Sequence, residues 1–201
     1  MSHIRPLKPL YVLGYKIRCL NVLVLMIRKQ LDETIQRMYN EGLIDENLVM
    51  EAVKHTLGGE CEKSTPKEDM QDHVDFWWDS PKMGRIGIDV KGIKKKSRKD
   101  TEVDDTIHWI ELLNVRGNLG WIYGKATYIA FRTKKNILFV KNSVLRDFAN
   151  KMTVGKKVVN VNPKEFYVPY QRYGRKDMII KVPTSDLEKL ADFTIETEGA
   201  N

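Results

Sequence analysis

Cysteine is scarce in this sequence and long apolar runs are missing, and both shortages narrow what the chain can be. Its two cysteines, Cys19 and Cys61, lie far apart and in no CxxC or Cys/His spacing. That argues against a disulfide scaffold or a zinc site and agrees with a reducing, cytoplasmic setting. The uncharged stretch at 19–27 falls short of the roughly 20 residues a spanning helix needs, with Lys16 and Arg18 before it and Asn21 within it. No small-residue cleavage site follows it, so neither a membrane anchor nor a secretory signal is expected. A G-x-S-x-G nucleophile elbow and a P-loop are both absent, as are helix-turn-helix and zinc-finger patterns. Neither cysteine has an evident histidine partner, and no internal repeat occurs.

What remains is a chain of 201 residues with ordinary apolar and charged fractions, enough for one domain with a real core. A net charge of +7 and a pI of about 9.3 favour an anionic partner, nucleic acid before membrane. Well-formed helical sequence starts at Met26, so residues 1–25 read as an N-terminal extension with no role in the fold, and Met26 as the natural start. A native chain whose mass includes Met1 would refute that expectation.

Residues 26–60 read as a helical segment, with Leu31, Ile35 and Met38 at spacings of three and four. Glu41-Gly42 is expected to break this helix, and Asp45 to cap a second one ended by Gly58-Gly59. Residues 61–201 read as an α/β core. Thr65-Pro66 marks a turn or helix start. Strands are expected over 73–78, 85–91 and 106–115, with two more inside 125–141. Asn142 or Ser143 is expected to cap a helix with Val144, Leu145 and Phe148 on one side. "KEFYVPYQ" and "MIIKVP" read as a hairpin, followed by a short helix opened by the capping box Ser185-x-x-Glu188.

The chemistry centres on "HVDFWWDSPKMGRIGIDVKG", residues 73–92. Residues two apart on a strand share a face, so if Ile86, Ile88 and Val90 face a core, Asp89 and Lys91 face the other way together. Asp75 precedes Asp89 by 14 residues with a turn midway, so antiparallel pairing brings the two carboxylates close. Converging carboxylates repel, and a hard divalent cation such as Mg²⁺ relieves the repulsion. An ammonium beside them can position a water or stabilise charge developing on a phosphate.

Asp75 followed by Asp89-Val90-Lys91 resembles the PD-(D/E)XK nuclease superfamily, whose signature is an aspartate, a loop, then (D/E)-x-Lys on the next strand. Val74 stands where that pattern usually has proline. "STPKEDMQDHVDFW" is similar to the lead-in of phage-encoded and restriction-type members, and "ELLNVRGNLGWIYGKATYIAF" to their Gly-Trp segment. The likeness covers about residues 60–150. It implies a restriction-endonuclease-like mixed β-sheet flanked by helices, and Mg²⁺-dependent (or Mn²⁺-dependent) hydrolysis of phosphodiesters in DNA. By that resemblance Asp75, Asp89 and the carbonyl of Val90 bind the metal, and Lys91 orients or activates the attacking water. A further acid on a preceding helix is Glu51 or Asp69. A ribonuclease, or a nuclease fold that only binds nucleic acid, is the alternative, and homodimers are common in the superfamily.

His73 reads as packing at a sheet edge. At least one of Trp77 and Trp78 is expected in the core, along with Trp109, Trp121 and Tyr123. Lys94, Lys95, Lys96 and Arg98, leaving the end of the catalytic strand, are the expected phosphate contacts, which Arg172, Arg175 and Lys176 extend.

Overall fold

The computed structural model describes residue 36 and residues 40–95 and 102–197. The expected extension at 1–25, the helical positions Leu31, Ile35 and Met38, and the cations Lys96 and Arg98 lie outside them. The chain divides into two compact units, Met1–Leu43 and Ile44–Asn201. Nearly all described residues belong to the second. Among the described residues no helix is long and apolar enough to cross a membrane.

The protein is mixed α/β, with a mostly antiparallel sheet flanked by helices. Residues 40–57 are helical throughout (α1), so Glu41-Gly42 does not break the helix. A glycine inside a helix weakens it by only about 1 kcal/mol, which the packing of α1 outweighs. β1 (Glu60–Lys63) leads into α2 (Pro66–Asp72). Thr65 caps α2 by accepting from the Glu68 N–H, while Glu68 accepts from the Thr65 N–H at 2.8 Å. The expected strand at 73–78 begins later: His73 is the left-handed C-cap of α2 (φ 52°), and β2 is Phe76–Ser80. β3 (Gly84–Lys91) returns antiparallel to β2, with Phe76 opposite Ile88.

A two-residue ladder, β4 (Lys94–Lys95) with β5 (Val103–Asp104), precedes β6 (Ile107–Leu113). One turn of 3-10 helix at Trp121–Tyr123 follows. Next come β7 (Tyr128–Arg132), β8 (Asn136–Lys141), α3 (Asn142–Thr153), β9 (Met178–Pro183), α4 (Thr184–Leu190) and β10 (Phe193–Glu196). The main sheet runs β1-β2-β3-β7-β8-β10, and only the β3/β7 pair is parallel. β6 and β9 form a separate antiparallel ribbon.

The central strands are apolar on both sides because both sides are covered. Phe76, Trp78, Ile86, Ile88, Tyr128 and Ala130 pack with Val49 and Val53 of α1 on one face. Ile129 and Phe131 pack on the other face with Ile110 and Ile180 of the ribbon, Leu145 of α3 and Leu187 of α4. The result is three layers around two cores.

Local expectations fail where a tertiary contact overrides them. Asn142 does not cap α3; it is buried, and its amide donates to the carbonyls of Gly124 and Ala126 at 3.2 and 3.1 Å. Val144 is exposed rather than aligned with Leu145. α4 follows Pro183 and has no side-chain cap, so Ser185 and Glu188 form no capping box. "KEFYVPYQ" is not a strand; only Tyr170 bridges, to Val159 and Ile179. In β6 the period set by Ile110 and Leu112 turns His108 inward and leaves Trp109 half-buried.

His108 packs edge-on against Phe131, and its Nε2 has no hydrogen-bond partner among the described residues. Burial holds its pKa down at about 4, against an ordinary 6.5, despite the opposing charge of Asp105. Between those values the unfolded chain binds a proton that the folded chain refuses. The stability that comes from keeping the ring neutral is therefore complete above pH 6.5 and drains away as the pH falls towards 4. It amounts to at most about 3 kcal/mol. Urea unfolding of the wild type and His108→Leu at pH 7 and pH 4.5 checks this. The wild type should lose more stability than the variant on acidification, and equal losses would refute the assignment.

Candidate active site

Asp75 sits in the extended segment between the His73 cap and β2, and the main chain holds it on both sides. Its N–H donates to the Ile88 carbonyl at 2.9 Å, and its carbonyl accepts from Ser64 N–H at 3.1 Å. Its carboxylate takes the Val90 N–H at 2.6 Å. That bond ties Asp75 to the strand carrying Asp89 and Lys91, as the spacing of 14 residues requires. The segment leading into β2 and the neighbouring strand β3 thus bring together Asp75, Asp89 and Lys91.

Asp89 is 2% exposed. One carboxylate oxygen accepts from Lys91 Nζ at 2.5 Å, and the other, Oδ2, is buried with no partner among the described residues. Its pKa is raised to about 8, chiefly by burial and also by the Asp75 charge, against the pull of Lys91. Lys91 is held from a second direction, its Nζ lying 4.6 Å from the centroid of the Trp121 ring. Trp121 is thus a core residue, as expected, and also a floor for the ammonium.

One acid of the site was not singled out from the sequence. Glu46 projects from α1, and its pKa rises to about 7, first through burial and then through the charges of Asp75 and Asp69. Lys63, at 3.9 Å, and Lys91 oppose the rise. Asp69 of α2 is likewise raised, by burial and then by Asp75. Of the two acids expected on a preceding helix, Asp69 therefore lies within the field of the site. Glu51 instead points to solvent and pairs with Lys54 at 3.4 Å. His73 is pushed down by burial and by Lys91, so it borders the site as a helix cap rather than as a strand residue. The signal for Glu46 was present: it precedes Val49 by three residues and Val53 by seven, an acid on the apolar stripe of a helix.

α1 is seated by its neighbouring residue. Asp45, expected as a helix cap, lies within α1 and forms an ion pair with Arg132 at the end of β7. Its carboxylate occupies the space that a Cβ on Gly92 would need, so a larger residue in the turn after Lys91 must displace it. Lys94 and Lys95 lie just beyond, in β4.

Among the described residues no three acidic, imidazole or thiol groups form a ready-made metal cage. The donor set still suits a hard cation: two carboxylates in contact range of one strand, one buried oxygen with no partner among the described residues, and a third acid whose pKa burial and its acidic neighbours raise to about 7. Mg²⁺ usually keeps several waters and takes only one or two carboxylates. No protein-family model, curated protein or solved structure matches the chain.

Proposed function

We propose that the protein is a metal-dependent nuclease of the PD-(D/E)XK type, built on a restriction-endonuclease-like fold and hydrolysing phosphodiester bonds of DNA. The observation that carries this reading is the buried, unpartnered Asp89 oxygen, set between Asp75 on the neighbouring segment and Lys91 on the same strand.

Asp75, Asp89 and the Val90 carbonyl would hold Mg²⁺ or Mn²⁺, with Glu46 as the additional acid. When bound, the cation neutralises the phosphate and lowers the pKa of a water. The Lys91 ammonium, fixed between Asp89 and the Trp121 ring, orients the attacking water and offsets charge that builds on the phosphate oxygens. Trp121 and the flanking core exclude bulk water from that side of Lys91, which strengthens the electrostatics. No histidine or cysteine is needed as nucleophile.

Incubating the full chain with supercoiled plasmid, linear duplex, single-stranded DNA and RNA in Mg²⁺, Mn²⁺ or EDTA tests the proposal. Metal-dependent cleavage of DNA is expected, reduced about 10²- to 10⁴-fold in Lys91→Ala and less in Glu46→Gln. Cleavage confined to RNA would make the protein a ribonuclease. Binding without cleavage of any polymer would leave a binding module on a nuclease fold.

A further inference from the structure

The loop after β6 and the turn before β9 are joined outside the site. Lys176 N–H donates to the Val115 carbonyl at 3.2 Å, and the Lys176 side chain lies against Gly117. Within the first loop, Asn114 Oδ1 accepts the N–H groups of Arg116 and Asn118 at 2.9 and 3.1 Å. The turn Arg172-Tyr173-Gly174-Arg175 is closed by an N–H from Arg175 to the Arg172 carbonyl at 3.0 Å. Gly174 supplies the positive φ of 70° that its third position requires.

Tyr173 occupies the corner of this turn and is 100% exposed. Its ring is buried against no part of the fold, and its surroundings are cationic. Arg116, Arg175 and Lys176 are exposed and, among the described residues, have no carboxylate partner. Arg172 is fixed instead: the buried Asp177 accepts its backbone N–H at 3.0 Å through one oxygen and its Nε at 2.5 Å through the other. Glu111 of β6 feels both Arg172 and Lys91, so the basic turn and the catalytic lysine share one electrostatic neighbourhood. The first loop also runs directly into the Trp121 floor beneath Lys91.

We propose that this paired-loop lobe is a docking surface for nucleic acid with unpaired bases, a single strand or a splayed end. Tyr173 stacks on a base while Arg175 and Lys176 hold the phosphates on either side. A rigid turn presenting one free aromatic ring among cations matches the recognition of single strands, in which any base offers a flat face. In an unbroken duplex the base faces are covered, and only the phosphates remain for the cations. The inference deepens the nuclease reading, since it names the form of nucleic acid delivered to that site.

Fluorescence anisotropy in EDTA, with labelled single-stranded and duplex oligonucleotides, separates this inference from the nuclease reading because no cleavage is involved. Tyr173→Ala should weaken single-strand binding by about 5- to 150-fold, the worth of one stacked base, and leave duplex binding unchanged. Tyr173→Phe should restore it. Arg175→Gln with Lys176→Gln should weaken both ligands and flatten the salt dependence by about 1 to 2 in log–log slope. Unchanged single-strand affinity in Tyr173→Ala, or an equal loss on duplex, would overturn the proposal. Absence of binding to every oligonucleotide would overturn it as well. Tyr173-dependent binding in a protein that cleaves nothing would retain this surface and remove the nuclease assignment.

Discussion

Asp89→Asn should reduce metal-dependent cleavage by about a thousandfold or more and, at the same time, make the metal-free fold more stable at alkaline pH. Both effects come from one buried carboxylate with an oxygen that has no partner among the described residues. The folded pKa of Asp89 is raised to about 8 from an ordinary 3.8. A raised acid holds its proton more tightly in the fold than in the unfolded chain. Its contribution is therefore fully present below pH 3.8 and is lost as the pH rises through 8. The loss is on the order of a few kcal/mol. Asparagine keeps the shape and never ionises, so the variant escapes the loss. Denaturant midpoints in EDTA at pH 5.5 and pH 9 measure it: the stability difference should move in favour of the variant on going to pH 9. Mg²⁺ should raise the melting temperature of the wild type and leave that of the variant unmoved. A variant that loses ground at pH 9, or one that still cleaves, would show that Asp89 is an ordinary ion-pair residue.

The second large effect is expected at Gly92. Alanine there would put its Cβ onto the Asp45 carboxylate, which is also the partner of Arg132 and would have to shift. Gly92→Ala should therefore destabilise the protein by about 3 kcal/mol or more, either by overpacking or by breaking a largely buried ion pair. Asp45→Ala alone should lose a similar amount, because the Arg132 guanidinium is then left without its carboxylate. The double variant should lose clearly less than the sum, since each change removes the other's clash or partner. Urea unfolding of the four proteins closes the cycle. Additive losses, or a loss under about 0.5 kcal/mol for Gly92→Ala, would contradict the close approach.

The central pair of strands was legible because its information is local. Asp75 and Asp89 straddle a short turn, and alternation in Ile86, Ile88 and Val90 sets the face of each residue. The ribbon was not legible, because β6 at 107–113 finds β9 at 178–183 across most of the domain. A run such as "MIIKVP" says that it is a strand and not whose partner it is. Glu46 was hidden by a neighbouring misreading: with Gly42 taken as a break and Asp45 as a cap, residue 46 counted as a helix start rather than as part of a buried stripe. Tyr173 was invisible for a different reason, since only exposure, and no sequence pattern, separates a free aromatic from a core one.

The bonds that hold Asp75 in place have a bearing on inheritance. Ser64, Ile88 and Val90 hold it through an amide, a carbonyl and an amide, and none uses its side chain to do so. Apart from the packing demand on Ile88 and Val90, the letters at those positions are free to drift over generations while the acid stays in place. Proline is the replacement that positions 64 and 90 refuse, because each must give an N–H. Descendants of a single ancestor can therefore keep this cluster of carboxylates while having few letters in common.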